Sequence, residues 1–251
     1  MILGAQLYTV RAFLQNETDI RRTLAKIAEI GYATIQVSAM GKIAPETLKA
    51  ICDELSLKIV LTHVSPERLV NETDQVIEEH RILGCDYIGI GSMPEKYRSD
   101  DWYEHFATDF RPAANRIADA GMQFMYHHHN FEFIKIGGKR LIERLIEDFS
   151  PREMGVTLDT YWIQAAGADI YEWIDRLRDR IHCVHLKDMA VRGMEPIMAP
   201  VMEGNMNFAA IMKALEKTAT KYALVEQDIC EGSPFDCLRA SYNNLVSLGY
   251  R

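Results

Sequence analysis

Three acid or base residues stand directly after short apolar runs: Asp159 in VTLD, His185 in CVH and Glu226 in LVE. A fourth group lies in QFMYHHHN (Gln123–Asn130), with Glu132 just beyond it. Asp, His and Glu supply oxygen and nitrogen ligands without thiolate. That set suits Mn2+, Co2+, Mg2+ or Zn2+ bound for chemistry rather than a structural cysteine–zinc site. Period-two alternation sends His127 and His129 to one side of a strand and His128 to the other, so this run offers the fourth ligand of such a site. Each residue also has a plainer use. A strand-end histidine such as His63 is often a hydrogen-bonded structural residue, and Asp188 or Asp228 could cap a helix or face solvent. The joint pattern outweighs its members.

These residues need a scaffold that gathers strand ends, and the chain reads as one. Short β-branched or apolar runs alternate with stretches of helical period. The runs are Ile2–Thr9, Thr34–Ser38, Lys58–His63, Tyr87–Ile90, Gln123–Asn130, Gly155–Asp159, Cys183–Lys187 and Ala223–Gln227. Helices are expected near Asp19–Ile30, Pro45–Leu55, Pro66–Leu83, within Asp100–Ala120, and near Lys139–Phe149, Ile170–Leu177, Phe208–Thr218 and Pro234–Leu248. Eight βα units in 251 residues predict an α/β fold, a single-domain (β/α)8 TIM barrel over 1–251. A doubly wound sheet would show a Gly-rich turn after the first strand, and Thr9–Arg11 has none. In the barrel, chemistry sits at the C-terminal strand ends, where Gln6, Tyr8, His63, the His run, Asp159, His185, Lys187 and Glu226 fall.

Composition narrows the partners. The chain carries 28 Lys+Arg and 36 Asp+Glu, a formal charge of −8 that disfavours general polyanion binding. The five cysteines are scattered without C-x-x-C spacing and read as buried thiols of a reducing compartment. No basic segment precedes a long apolar run and no stretch approaches the ~20 apolar residues that span a bilayer. The expected setting is the cytoplasm, with neither nucleic acid nor membrane as partner.

The segments YHHHNFEF (Tyr126–Phe133), LDTYW (Leu158–Trp162), VHLKD (Val184–Asp188), EGNMNF (Glu203–Phe208) and LVEQD (Leu224–Asp228) resemble those of the sugar phosphate isomerase/epimerase family. That family has a xylose isomerase-like TIM barrel and is related to inosose dehydratase and ketose 3-epimerases. The resemblance implies a divalent metal held by His127, Asp159, His185 and Glu226, a sugar or polyol substrate, and a homodimer. It departs from the ketose 3-epimerases in having His127 where they place a ligand glutamate. Glu132 resembles their second glutamate with the spacing shortened by one, and Trp162 replaces a substrate-contacting histidine. The triple His resembles the fifth strand of inosose dehydratase, although Asn130–Glu132 departs from its continuation.

The expected function is a divalent-metal-dependent sugar isomerase/epimerase. It would act through an enediolate on a carbohydrate or polyol with a hydroxyl next to a carbonyl. Glu226 and His129 are the candidate bases, Glu132 is an alternative, and Lys187 would stabilise the enediolate or a phosphate. Gln6, Tyr8, His63, Trp162, Arg192 and Glu203 are candidate substrate contacts. Phe131 joins Tyr8 and Trp162 as a surface on which a sugar could stack. The Met-rich loop Met194–Met206 is expected to form an apolar wall. The alternative reaction is dehydration of a keto-inositol or 3-keto sugar, since expulsion of a β-hydroxyl shares the early chemistry. A DNA-repair endonuclease would need histidines that this chain lacks at Gly89–Gly91 and Trp162. A non-catalytic barrel would not need Asp159, His185 and Glu226 together.

Overall fold

The computed structural model describes residues 1–251. Eight parallel strands close into a barrel: β1 Ile2–Gln6, β2 Thr34–Val37, β3 Lys58–His63, β4 Tyr87–Ile90, β5 Gln123–His127, β6 Met154–Asp159, β7 Cys183–Leu186 and β8 Tyr222–Val225. Each strand pairs with its sequence neighbours, and the ring closes where β1 meets β8 with Gly4 opposite Leu224. β4 and β6 are buried along their whole length, as strands covered on both faces must be.

Helices surround the ring: α1 Glu17–Ile30, α2 Pro45–Glu54, α3 Pro66–Asn71, α4 Thr73–Leu83, α5 Asp100–Asp119, α6 Leu141–Asp148, α7 Thr160–Ala165, α8 Ile170–Arg176, α9 Phe208–Leu215 and α10 Pro234–Ser247. Their inner faces bury residues such as Ile20, Leu24 and Ile27 of α1 against the sheet. Inside the ring, Val60, Leu61, Met125, Cys183 and Leu224 pack into an apolar floor.

The chain departs from the sequence-based expectation in several places. β1 stops at Gln6 because the Gln6 side chain accepts the Tyr8 N–H at 2.6 Å and turns the chain into a 3-10 helix, Leu7–Phe13. The helix expected over Pro66–Leu83 is two, broken at Glu72, whose φ of −127° is not helical. An extra helix, α7, begins directly on β6. The stretch after β7, expected as a loop, contains an antiparallel ribbon that pairs Asp188–Arg192 with Glu195–Ala199. Of the cysteines, Cys52, Cys85 and Cys183 are buried thiols, while Cys230 and Cys237 are half-buried. No helix is long and apolar enough to cross a membrane.

Candidate active site

A cavity of about 560 Å³ opens at the C-terminal ends of the strands. Its polar heart is a four-residue cluster of His127, Asp159, His185 and Glu226, whose ligand atoms all lie within 4.8 Å of one another. The four come from β5, β6, β7 and the end of β8, adjacent staves that bring residues far apart in sequence together. His127 Nε2 is 3.1 Å from Asp159 Oδ2. His185 Nδ1 is 2.9 Å from Glu226 Oε2 and 3.6 Å from Asp159 Oδ2.

The outer partners fix how these groups point. His127 Nδ1 lies 2.8 Å from the Gly91 carbonyl, an obligate acceptor, so its proton is on Nδ1. A neutral His127 therefore turns the Nε2 lone pair on the Asp159 carboxylate. His185 Nε2 lies 2.7 Å from Gln36 Oε1, and its Nδ1 faces Glu226 Oε2. Burial opposes protonation of His185, but the Glu226 and Asp159 carboxylates raise it above the usual imidazole value. Glu226 Oε2 also meets the Lys187 ammonium at 2.9 Å. The His127 lone pair and the Asp159 carboxylate that it faces need a proton or a cation between them. The donor set and the His127 tautomer fixed by its second partner fit a divalent cation.

Asp159 serves two purposes. Its Oδ1 accepts the Trp162 N–H at 3.1 Å and so caps α7, while Oδ2 faces the cluster. Its own N–H donates to His128 Nε2 at 3.0 Å. Alternation thus gives His128 a scaffolding position behind the sheet, opposite His127. Gln6 Nε2 donates to Glu226 Oε1 at 2.8 Å.

Lys187 is buried among the acids. Its Nζ lies 2.9 Å from Glu226 Oε2, 3.2 Å from Asp159 Oδ2 and 3.1 Å from Asp228. Thr160 Oγ1 accepts the Lys187 N–H at 2.9 Å and lies 2.7 Å from its carbonyl, which fixes the backbone there. Burial works against the ammonium, yet Asp159, Glu226 and Asp228 outweigh it and hold Lys187 protonated. Burial likewise opposes ionisation of Asp159, but the Lys187 ammonium and the two histidines keep its carboxyl well below the usual range. Glu226 is lowered by Lys187 and His185 against the same burial penalty. Burial and then the Glu226 charge push Asp228 up to about 6, although Lys187 pulls the other way. Three carboxylates against one ammonium leave the site electron-rich.

Two further imidazoles at the cavity are held toward the neutral form. Burial, then the neighbouring His127 imidazole, lowers His129 to about 3, and its Nδ1 has no partner. His63 is lowered by burial, then by His127 and His185. Its Nδ1 meets Ser38 Oγ at 3.2 Å while its Nε2 is unpartnered. Trp162 lies against His129, with ring centroids 5.1 Å apart.

Of the residues expected at the site, Gln6, Tyr8, His63, His127, His129, Trp162, Lys187 and Glu226 line the cavity, and Asp159 and His185 are buried beneath it. Glu132 does not line it. It is buried behind His129, accepting the Tyr126 hydroxyl at 2.6 Å and the His129 N–H at 2.8 Å, and burial raises it to about 7. Its place is to hold the turn that presents His129, which corrects the expectation of a base in contact with substrate. Arg192 sits at the exposed tip of the ribbon, paired with Glu231, and Glu203 is exposed on the turn that follows. Neither lines the cavity. No methionine lines it either, and Met194 is 96% exposed. Phe131 stacks on His129 instead of on the cavity. Ser38, Pro66, Gly91, Ser92 and Asp228 line the cavity without having been singled out as site residues. Ser38 ends the second predicted strand and Asp228 follows the eighth, so the strand-end rule itself carried the signal for both.

The family model for the xylose isomerase-like TIM barrel matches residues 24–231. An inosose dehydratase of Lacticaseibacillus casei is 23% identical over 89% of this chain and 87% of its own length. A sugar phosphate isomerase/epimerase from Parabacteroides distasonis ATCC 8503 superposes with a TM-score of 0.82 at 23% identity, covering 97% of both chains. L-ribulose 3-epimerase superposes with a TM-score of 0.75 at 18% identity, over 99% of this chain and 94% of that one. At these identities the two superpositions speak to the fold.

Proposed function

The chain belongs to the xylose isomerase-like TIM barrel family, and from that premise we propose that it is a divalent-metal-dependent sugar isomerase of the isomerase/epimerase kind. It acts on a carbohydrate or polyol with a hydroxyl next to a carbonyl. The observation that carries this reading is the His127 lone pair turned on Asp159 by the Gly91 carbonyl, in a cluster whose ligand atoms from His127, Asp159, His185 and Glu226 all lie within 4.8 Å of one another. A divalent ion held by His127, Asp159, His185 and Glu226 would polarise the substrate carbonyl as a Lewis acid.

The chain's own residues supply the rest. Trp162 and Tyr8 offer faces for the sugar ring. His129, neutral and unpartnered, takes the proton from the carbon next to the carbonyl. The Lys187 ammonium lies where it can donate to an enediolate oxygen and offset the charge that develops there. Returning the proton to the neighbouring carbon completes an isomerisation that a single base can perform.

A second reading is dehydration. An epimerase that withdraws a proton from one face and returns it to the other needs two bases, and His127 stands where the ketose 3-epimerases carry a glutamate. One neutral imidazole beside a protonated amine instead suits removal of a proton and protonation of a leaving β-hydroxyl. The similarity to inosose dehydratase supports the same reading.

Incubation of the metal-loaded protein with ketoses, keto-inositols and 3-keto-glycosides in D2O, followed by NMR, separates the outcomes. Deuterium next to the carbonyl in an isomerised product supports the first reading. Loss of water with a new double bond supports the second. No exchange with any of these classes contradicts both.

A further inference from the structure

The β5–β6 ladder ends with His127 opposite Thr157. Beyond that pair, the buried ring of His128 joins the two chains. Its Nδ1 lies 3.1 Å from the His129 carbonyl, and its Nε2 accepts the Asp159 N–H at 3.0 Å. A carbonyl only accepts and an amide N–H only donates. One tautomer satisfies both, the neutral ring with its proton on Nδ1. A single rigid side chain thus ties the backbone of the proposed base, His129, to the backbone of the metal ligand Asp159.

The tie closes a circuit. Asp159 Oδ1 accepts the Trp162 backbone N–H at 3.1 Å, and the Trp162 ring returns to the His129 ring at 5.1 Å. The His129 N–H is held by Glu132, so both polar groups of the His129 backbone end on buried side chains. The His128 ring is itself set edge-on against Phe133, which packs in turn on Trp173. A base works only within hydrogen-bond reach of the proton it takes, and a displacement of about 1 Å can cost roughly 10²-fold in rate. The distance from His129 to the ion site is therefore a quantity worth fixing.

We propose that His128 is a positioning residue that sets this distance by linking the His129 carbonyl to the Asp159 N–H. This deepens the proposed function and rests on it for the ion and for His129 as the base.

Two conservative variants cut the tie at one end each. In His128→Asn the amide nitrogen stands near the place of Nδ1, so it can keep the bond to the His129 carbonyl while releasing Asp159. In His128→Gln the amide oxygen reaches as far as Nε2, so it can keep the Asp159 N–H while releasing His129. Co2+ is the probe. Its visible absorption reads affinity, and the hyperfine shifts of the His129 ring protons read their distance from the ion. His128→Asn is expected to weaken Co2+ binding by roughly tenfold or more, as loss of an outer partner of a ligand does. His128→Gln is expected to bind Co2+ with wild-type affinity, yet to move the His129 signals. A general loss of stability would instead weaken Co2+ binding in both variants alike. His129 signals unmoved in His128→Gln, undiminished affinity in His128→Asn, or an equal loss of affinity in both overturns the role. The D2O experiment reads the reaction separately. The expected split with no deuterium exchange in the wild-type protein keeps the tie and removes the proposed reaction. A wild-type protein that binds no Co2+ removes the ion site and this role together.

Discussion

The four ligand residues and Lys187 form one electrostatic unit, so single substitutions there should act through charge as well as contact. Asp159→Ala or His185→Ala is expected to strip bound Mn2+ or Co2+. Elemental analysis showing undiminished metal would remove the cluster as the metal site. Glu226→Gln keeps the shape but discards the charge that pairs with Lys187 and His185. Turnover in the D2O assay should fall by roughly 10²-fold or more, and near-native turnover would end the role assigned to Glu226. At this scale the sequence was most informative where a residue follows an apolar strand, as Asp159, His185 and Glu226 do. It was least informative one layer out. Glu132 looks like a second catalytic acid in YHHHNFEF, yet only the fold reveals that the Tyr126 hydroxyl and the His129 N–H claim both its oxygens. Asp228 looks like a solvated loop acid until Lys187 is found beside it.

Among elements, the turn that follows the ribbon after β7 is held to the ribbon's base by one buried side chain. Asp188 accepts four backbone N–H groups, from Met189, Met202, Gly204 and Met206. Gly204 must be glycine there because a Cβ would run into the Asp188 carboxylate. Asp188→Ala should cost about 3 kcal/mol by leaving several of these donors unpaired. Chemical denaturation would measure it, and a loss under about 0.5 kcal/mol would deny the anchoring. Across α3 and α4, the hydrogen bond from Arg68, followed in size by an opposing burial effect, lowers the Glu79 carboxyl below 4.5. A depressed acid adds stability above its unfolded pKa, and that stability is lost as pH falls through the folded value. Glu79→Gln should therefore flatten the acid limb of a pH–melting profile below about pH 4.5. An unchanged limb would show that Arg68 contributes nothing there. Lys58–His63 and Tyr87–Ile90 could be bounded from sequence because apolar runs end sharply at polar or glycine residues. The ribbon could not, since DMAVR and EPIMA carry no clean alternation and take their order from pairing with each other. The break at Glu72 was hidden because the residues around it keep helical spacing.

For the molecule as a whole, ion binding and folding should be linked. A ligand present at 100 times its Kd adds about 2.7 kcal/mol to the native state. Chelation by EDTA should therefore lower the melting temperature and abolish activity together, and Mn2+ or Co2+ should restore both. Full activity in the chelated protein would refute the proposed mechanism. The eight-unit architecture was legible because each unit repeats the same alternation, whereas the mouth of the barrel is shaped by loops that share no pattern. Closure of the ring also governs order in time. The Gln6–Glu226 hydrogen bond joins positions 220 residues apart, and β1 has no partner on one side until β8 arrives. During synthesis a nascent chain thus carries two raw sheet edges almost to its end, open to mispairing with other chains. Glu226 is also the last of the four ligands to emerge, so acquisition of the complete ion site coincides with the final event of folding, and ion capture reports that the barrel has closed.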